Sequence, residues 1–235
     1  GVLAFSTTDS IYSVDVRGDR GNWEEGGSGT GKIQQSIPSL GAASHYSFES
    51  FNTNLFFRTM EYGISDFKQS QYQFVNYGDM ADQSIEVNHW LDDDTKWMLD
   101  KCYTRGYQSR LYTTIAPSKT DQGYVFWNAM VVMHPNPTYS SGEGSPRRFE
   151  GVITGLRPWA VTVSKTVSGE QRMFVWSHDK DKVNRLYLHD KSLKYDVNER
   201  GDKIDIEAWI ETRGMIHGSS SLTKIPTNRY YKLRD

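Results

Sequence analysis

The sequence predicts an all-β protein: a propeller-like array of four or more antiparallel blades with one short helical insert. Three observations carry this reading. First, one short unit recurs, in which an apolar run reaches turn formers and a second apolar run returns. It is clearest at residues 173–188, where Met173-Phe174-Val175-Trp176 leads through the charged stretch 178–182 into Leu186-Tyr187-Leu188. Aromatic and β-branched arms around a polar turn are the signature of a β-hairpin. Copies stand at 3–14 and 55–67, and a looser one at 110–117 leads into Tyr124-Val125-Phe126-Trp127. Second, Phe5, Phe57, Tyr112 and Val175 align the copies at steps of 52, 55 and 63 residues. A repeat of about 40–50 residues with several strands per unit is propeller spacing, which insertions lengthen. Third, 14 Tyr, 10 Phe and 7 Trp among 235 residues favour pleated surfaces over helices. An irregular sandwich or barrel is the competing arrangement.

Along the chain, residues 1–235 read as one β domain. Residues 18–32 are Gly-rich and charged and are expected to form an exposed loop. Within them Gly26-Gly27-Ser28-Gly29-Thr30-Gly31-Lys32 fits seven positions of a phosphate-binding loop. The eighth position should be a magnesium-holding Ser or Thr and is Ile33, and no buried strand precedes it, so no nucleotide is expected there. Residues 33–67 are strand-like, and 69–77 continue in mixed polar and aromatic style. Residues 84–99 place apolar side chains three to four apart around Asp92-Asp93-Asp94, which predicts a helical insert with Ser84 as its N-cap.

Residues 124–133 form the most apolar stretch and are expected to be an inner strand, stopped by His134-Pro135-Asn136-Pro137 because prolines remove ladder donors. A second loop insertion is placed at 135–148. Residues 152–163 with the 173–188 hairpin make the fourth blade. Ile206, Ala208 and Ile210 alternate along 205–212 as a half-exposed strand opening a fifth. Both ends fall inside apparent strands, so a piece of a longer protein is expected.

The charge balance of −2 gives no net pull towards nucleic acid or anionic membrane. No apolar run reaches the ~20 residues a spanning helix needs. The single Cys102 excludes an intramolecular disulfide and is expected half-buried in a strand. His45, His89, His134, His178, His189 and His217 are scattered without metalloprotease spacing. The acidic turns at 92–94 and at Asp179 and Asp181 lack the glycine and distal Glu of a calcium loop, and are expected to be solvated. No Ser lies in a Gly-x-Ser-x-Gly elbow. Glu61, Glu86, Glu150, Glu207 and Glu211 show no spacing that singles out a glycosidase pair. Arg105, Arg110 and the pair Arg147-Arg148 are too dispersed for a single-strand nucleic-acid groove. The expectation is therefore no enzyme, with no catalytic, cofactor-binding or metal residues and no cofactor.

Several phrases occur in order: Leu55-Phe56-Phe57-Arg58-Thr59 with Tyr62-Gly63-Ile64, Ser84-Ile85-Glu86-Val87, Arg110-Leu111-Tyr112-Thr113-Thr114, Asn184-Arg185-Leu186-Tyr187 and Trp209-Ile210-Glu211-Thr212-Arg213. This succession resembles the β-propeller-containing tail tubular or nozzle proteins of short-tailed bacteriophages. The resemblance implies a virion structural protein in the phage tail, a hexameric ring of copies around the DNA exit channel. Neighbouring tail and adaptor proteins would be its partners, and DNA would pass through without specific recognition. It carries over no catalytic motif. The chain is much shorter than a full nozzle protein. The alternative is a glycan-binding or glycan-cleaving propeller, in which the 31 aromatic residues supply sugar platforms.

Overall fold

The computed structural model describes residues 2–16, 33–61, 63–77, 84, 87–91, 94, 96–116, 127, 129–137, 147–154, 156–178, 183–189, 195–197, 200, 202–205, 209–211 and 230–232. Strands dominate these residues, and every strand pairing is antiparallel. The chain divides into two units, Gly1–His189 and Asp190–Asp235.

The first unit holds four sheets in chain order, each joining strands that are consecutive in sequence. The first contains β1 (Val2–Ser6), β2 (Ile11–Asp15) and β3 (Ile33–Ile37). The second contains β4 (Glu49–Phe51), β5 (Asn54–Arg58) and β6 (Ile64–Asp66). The third contains β7 (Thr104–Tyr107), β8 (Arg110–Ile115), β9 (Ala129–Pro137) and β10 (Arg147–Thr154). The fourth contains β11 (Pro158–Lys165), β12 (Gln171–His178) and β13 (Asn184–His189). The recurrent sequence units fall on β1–β2, β5–β6, β8 and β12–β13. The turns explain the tight registers. Asn52 and Thr53 between β4 and β5, and Gln108 and Ser109 between β7 and β8, all have positive φ. Two left-handed residues make a type I′ turn, whose twist matches that of the flanking strands.

Period-two alternation gives each sheet two faces, and consecutive sheets share a core. Ile11 and Ile37 of the first sheet pack with Phe57 of the second. On the opposite face of the second sheet, Phe56 and Ile64 pack with Leu111, Ile115, Val131 and Met133 of the third. The third sheet's other face supplies Tyr107, Tyr112, Met130 and Val132, against Val161, Met173 and Val175 of the fourth. Each fully buried side chain of this size contributes about 1.5–3 kcal/mol, so the three junctions hold the series together. Close backbone approach helps at the second junction. A Cβ on Gly106 of β7 would lie 2.2 Å from Phe51 Cδ2 of β4, and the Gly106 N–H donates to Glu49 Oε1 at 3.0 Å.

The sequence reading of an all-β chain holds. The described sheets form an open series. Other points differ. Residues 69–77, expected only to continue in mixed polar and aromatic style, lie in helix α1 (Phe67–Tyr77). Its N-cap is Asp66, whose Oδ1 accepts from the Gln69 N–H at 3.0 Å. In the expected insert, the structure places one-turn helices α2 (Asn88–Leu91) and α3 (Lys96–Leu99). The Ser84 hydroxyl accepts from the Ile64 N–H at 3.2 Å and donates to Asn88 Oδ1 at 3.1 Å, and its carbonyl accepts from the Val87 N–H at 2.9 Å. The 134–137 segment does not stop its strand. β9 runs to Pro137, with a register shift opposite Arg147 and Arg148, and beyond Met133 it pairs with β10 alone. One-sided pairing at an irregular register is where prolines are tolerated. The 135–148 insertion therefore shrinks to its centre, since 147–148 also lie in β10, and 138–146 lie outside the described residues. Residues 152–154, assigned to the fourth blade, lie in β10 of the third sheet. The 18–32 loop and its phosphate-loop-like motif, Tyr124–126 of the apolar stretch, and Asp179 and Asp181 lie outside the described residues.

The second unit contains two hairpins, β14 (Tyr195–Val197) with β15 (Lys203–Asp205), and β16 (Trp209–Glu211) with β17 (Tyr230–Lys232). Of the expected strand over 205–212, Asp205 lies in β15 and 209–211 lie in β16, while 206–208 and 212 lie outside the described residues. Lys203 Nζ stands 4.4 Å from the Tyr195 ring centroid, a cation–π contact. Both end strands, β1 and β17, pair within the chain. Among the described residues no helix is long and apolar enough to cross a membrane.

Candidate interaction surface

The fourth sheet exposes an apolar face. On β12, Met173, Val175 and Ser177 point into the core, which sends Phe174, Trp176 and His178 outward. The register extends this face across the sheet: Ala160, Trp176 and Leu186 form one row, and Thr162, Phe174 and Leu188 the next. Trp159 joins them at the register shift between Pro158 and Ala160, which turns its indole outward. Trp176, Leu186 and Leu188 are 39%, 50% and 48% exposed. The Trp159 ring lies 6.1 Å from that of Trp176, tilted by 52°, and stacks on His178 at 5.9 Å. These contacts hold the rings against the sheet and leave their outer surfaces bare.

The first sheet has the same property on the face turned away from its core. Leu3, Phe5, Tyr12 and Val14 share that face by register, opposite the one carrying Ile11. Leu3 is 58% exposed, and Phe5 stacks on Tyr12 at 5.3 Å. Among the described residues of the second and third sheets, no large apolar side chain is exposed. Among the described residues, apolar exposure on strands of the first unit is therefore confined to the two ends of the series. Isolated exposed leucines need no explanation, whereas a contiguous face does.

A second constellation is internal. The Arg58 guanidinium at the end of β5 is buried, and its Nη2 donates to Asp94 Oδ2 and to the Leu91 carbonyl, both at 3.4 Å. Asp94 Oδ1 accepts from the Ala116 N–H at 2.7 Å. The acidic turn was expected to be solvated; Asp94 is instead enclosed, because it joins β5, the helical insert and the end of β8. Cys102 lies beside this pair. It is fully buried and precedes β7 rather than lying half-buried in a strand. Burial pushes its thiol up to about 12, so little thiolate exists at neutral pH to act as nucleophile or ligand.

The other candidates are dispersed. His45 meets Tyr46 edge-on at 5.5 Å, and His189 meets Tyr107 and Tyr112 edge-on at 5.6 and 6.0 Å. His134 lies in β9 and His89 in α2, and His217 lies outside the described residues. Glu150 is paired with Arg110 Nε, and this contact holds the guanidinium above its ordinary range. Glu61 is exposed between β5 and β6, Glu211 lies in β16, and Glu86 and Glu207 lie outside the described residues. Arg105 is occupied by the Tyr46 carbonyl at 2.9 Å and by Glu49 at 3.5 Å, and Arg147 and Arg148 belong to β10. Among the described residues, no group of three or more His, Cys, Asp and Glu is placed to hold a metal.

No family model matches the chain, and no curated protein matches its sequence. The functional reading therefore rests on the surface itself. What sequence reasoning missed was the outer face. The signal was present in Trp176, Leu186 and Leu188, which sit where strand alternation calls for polar residues.

Proposed function

We propose that this chain is a non-enzymatic structural subunit of a virion, a tail nozzle or tubular component of a short-tailed phage. It would assemble with copies of itself into a ring around the DNA exit channel, beneath adaptor proteins, with its four sheets serving as blades of a propeller-like array. The observation that carries this reading is the pair of bare apolar faces at the two ends of a series whose inner junctions are all covered. A subunit whose work is assembly needs rigid apolar faces rather than a reactive cleft, and aromatic residues are enriched in such contacts. The resemblance adds weight at particular elements: the phrases at 55–59, 110–114 and 184–187 fall on β5, β8 and β13. Negative-stain electron microscopy of the purified chain tests the proposal. Ring-shaped particles of uniform diameter are expected; single globular particles at all concentrations would contradict it.

A second reading has one observation in its favour. The exposed indoles of Trp159 and Trp176 could stack against the apolar faces of a sugar, as in a glycan-binding protein. Saturable quenching of tryptophan fluorescence by an oligosaccharide, lost in Trp176→Ala, would favour it over the structural role.

A further inference from the structure

We infer that the outer face of the fourth sheet docks on the outer face of the first sheet of a second copy, joining chains head to tail. This rests on the reading of the chain as an assembly subunit and names the interface and partner that the reading requires. Each of the three internal junctions is made the same way, by aliphatic and aromatic side chains of one sheet face meeting those of the next. The fourth sheet presents a further face of that kind in Trp159, Phe174, Trp176, Leu186 and Leu188. The first sheet presents its counterpart in Leu3, Phe5, Tyr12 and Val14. The described residues of the first unit thus carry one exposed apolar face at each end of the series, and a second copy supplies the cover for both.

The choice of a second copy in this orientation follows from counting faces. An isologous contact, fourth sheet on fourth sheet, would leave both first-sheet faces bare in the dimer. A head-to-tail contact covers one face of each kind at every joint, and if the rotation closes, a ring leaves none bare. Chemistry agrees with geometry. Both faces carry a stacked ring pair, Phe5 with Tyr12 on one and Trp159 with His178 on the other, and Arg172, which shares the fourth sheet's outer face by register, is paired with Glu170 Oε2 at 2.9 Å.

Cysteine cross-linking of the intact chain tests this. Leu3→Cys and Leu186→Cys are made separately, both at exposed positions where the substitution leaves the core untouched. Buried Cys102 does not compete for a short bis-maleimide, and unchanged thermal unfolding confirms that each variant folds. Phe5→Cys with Leu188→Cys is a second pair on the same two faces. The expected result is a cross-linked dimer from each mixture, with only a trace from each variant alone. Dimer from Leu186→Cys alone at the level of the mixture would show an isologous contact and overturn the inference. Absence of cross-links while the wild type sediments as an oligomer would also overturn it, leaving the subunit reading in place. A wild type that stays monomeric at every concentration would remove the subunit reading itself.

Discussion

At the residue scale, the polar group that matters most to the fold is Asp94. Its carboxylate is enclosed between the Arg58 guanidinium and the Ala116 N–H, so removing it strands a buried charge and a backbone donor together. Asp94→Ala is expected to destabilise the chain by about 3–5 kcal/mol, read as a lowered urea midpoint at unchanged m-value. Cys102 gives a pH-dependent counterpart. Burial raises its thiol from 9.0 to about 12, so the folded state holds the proton more tightly than the unfolded one. The associated stability is fully present below pH 9.0 and is lost as the pH rises towards about 12. Cys102→Ala should flatten part of the alkaline fall in urea midpoint. Tyr103 and Tyr112, which burial also raises, contribute to the remaining slope.

At the scale of elements, α1 depends on one cap. Asp66 Oδ1 receives the Gln69 N–H at 3.0 Å and Asn54 Nδ2 at 2.6 Å, fastening the helix start to β5. Asp66→Ala should destabilise the chain by about 1–2 kcal/mol, with earlier loss of helical signal in far-ultraviolet circular dichroism on heating. This helix was legible in principle. Asp66-Phe67-Lys68-Gln69 has the spacing of a capping box, but the few apolar residues after Phe67 gave no clear helical period, and the aromatic composition argued for strands. The hairpins were legible because period two and turn chemistry are local properties. The extension of β9 through Pro135 was not, because a proline is excluded only where both strand edges are paired, and which edges are paired depends on the topology. Asp94 was misread for a related reason: three consecutive aspartates suggest water, and only the tertiary fold brings Arg58 and Ala116 to one of them.

On the scale of the whole molecule, the first unit is a series of sheets whose neighbours share cores and whose end faces are bare. Sequence spacing anticipated the series, since the aligned residues Phe5, Phe57, Tyr112 and Val175 fall in four successive sheets. It did not anticipate the surface, because exposure of Leu186 or Trp176 depends on which face of the sheet the third sheet covers. On the proposed assembly reading, the exposed apolar faces of the first unit would drive association, with aromatic side chains such as Trp176 and Phe5 as anchors. Sedimentation velocity of the intact chain over a concentration series, beside the double variant Leu186→Glu, Leu188→Glu, tests this most directly. The account predicts that the wild type gains mass with concentration while the double variant stays monomeric with the same unfolding temperature. A wild type that sediments as a monomer at every concentration would contradict it.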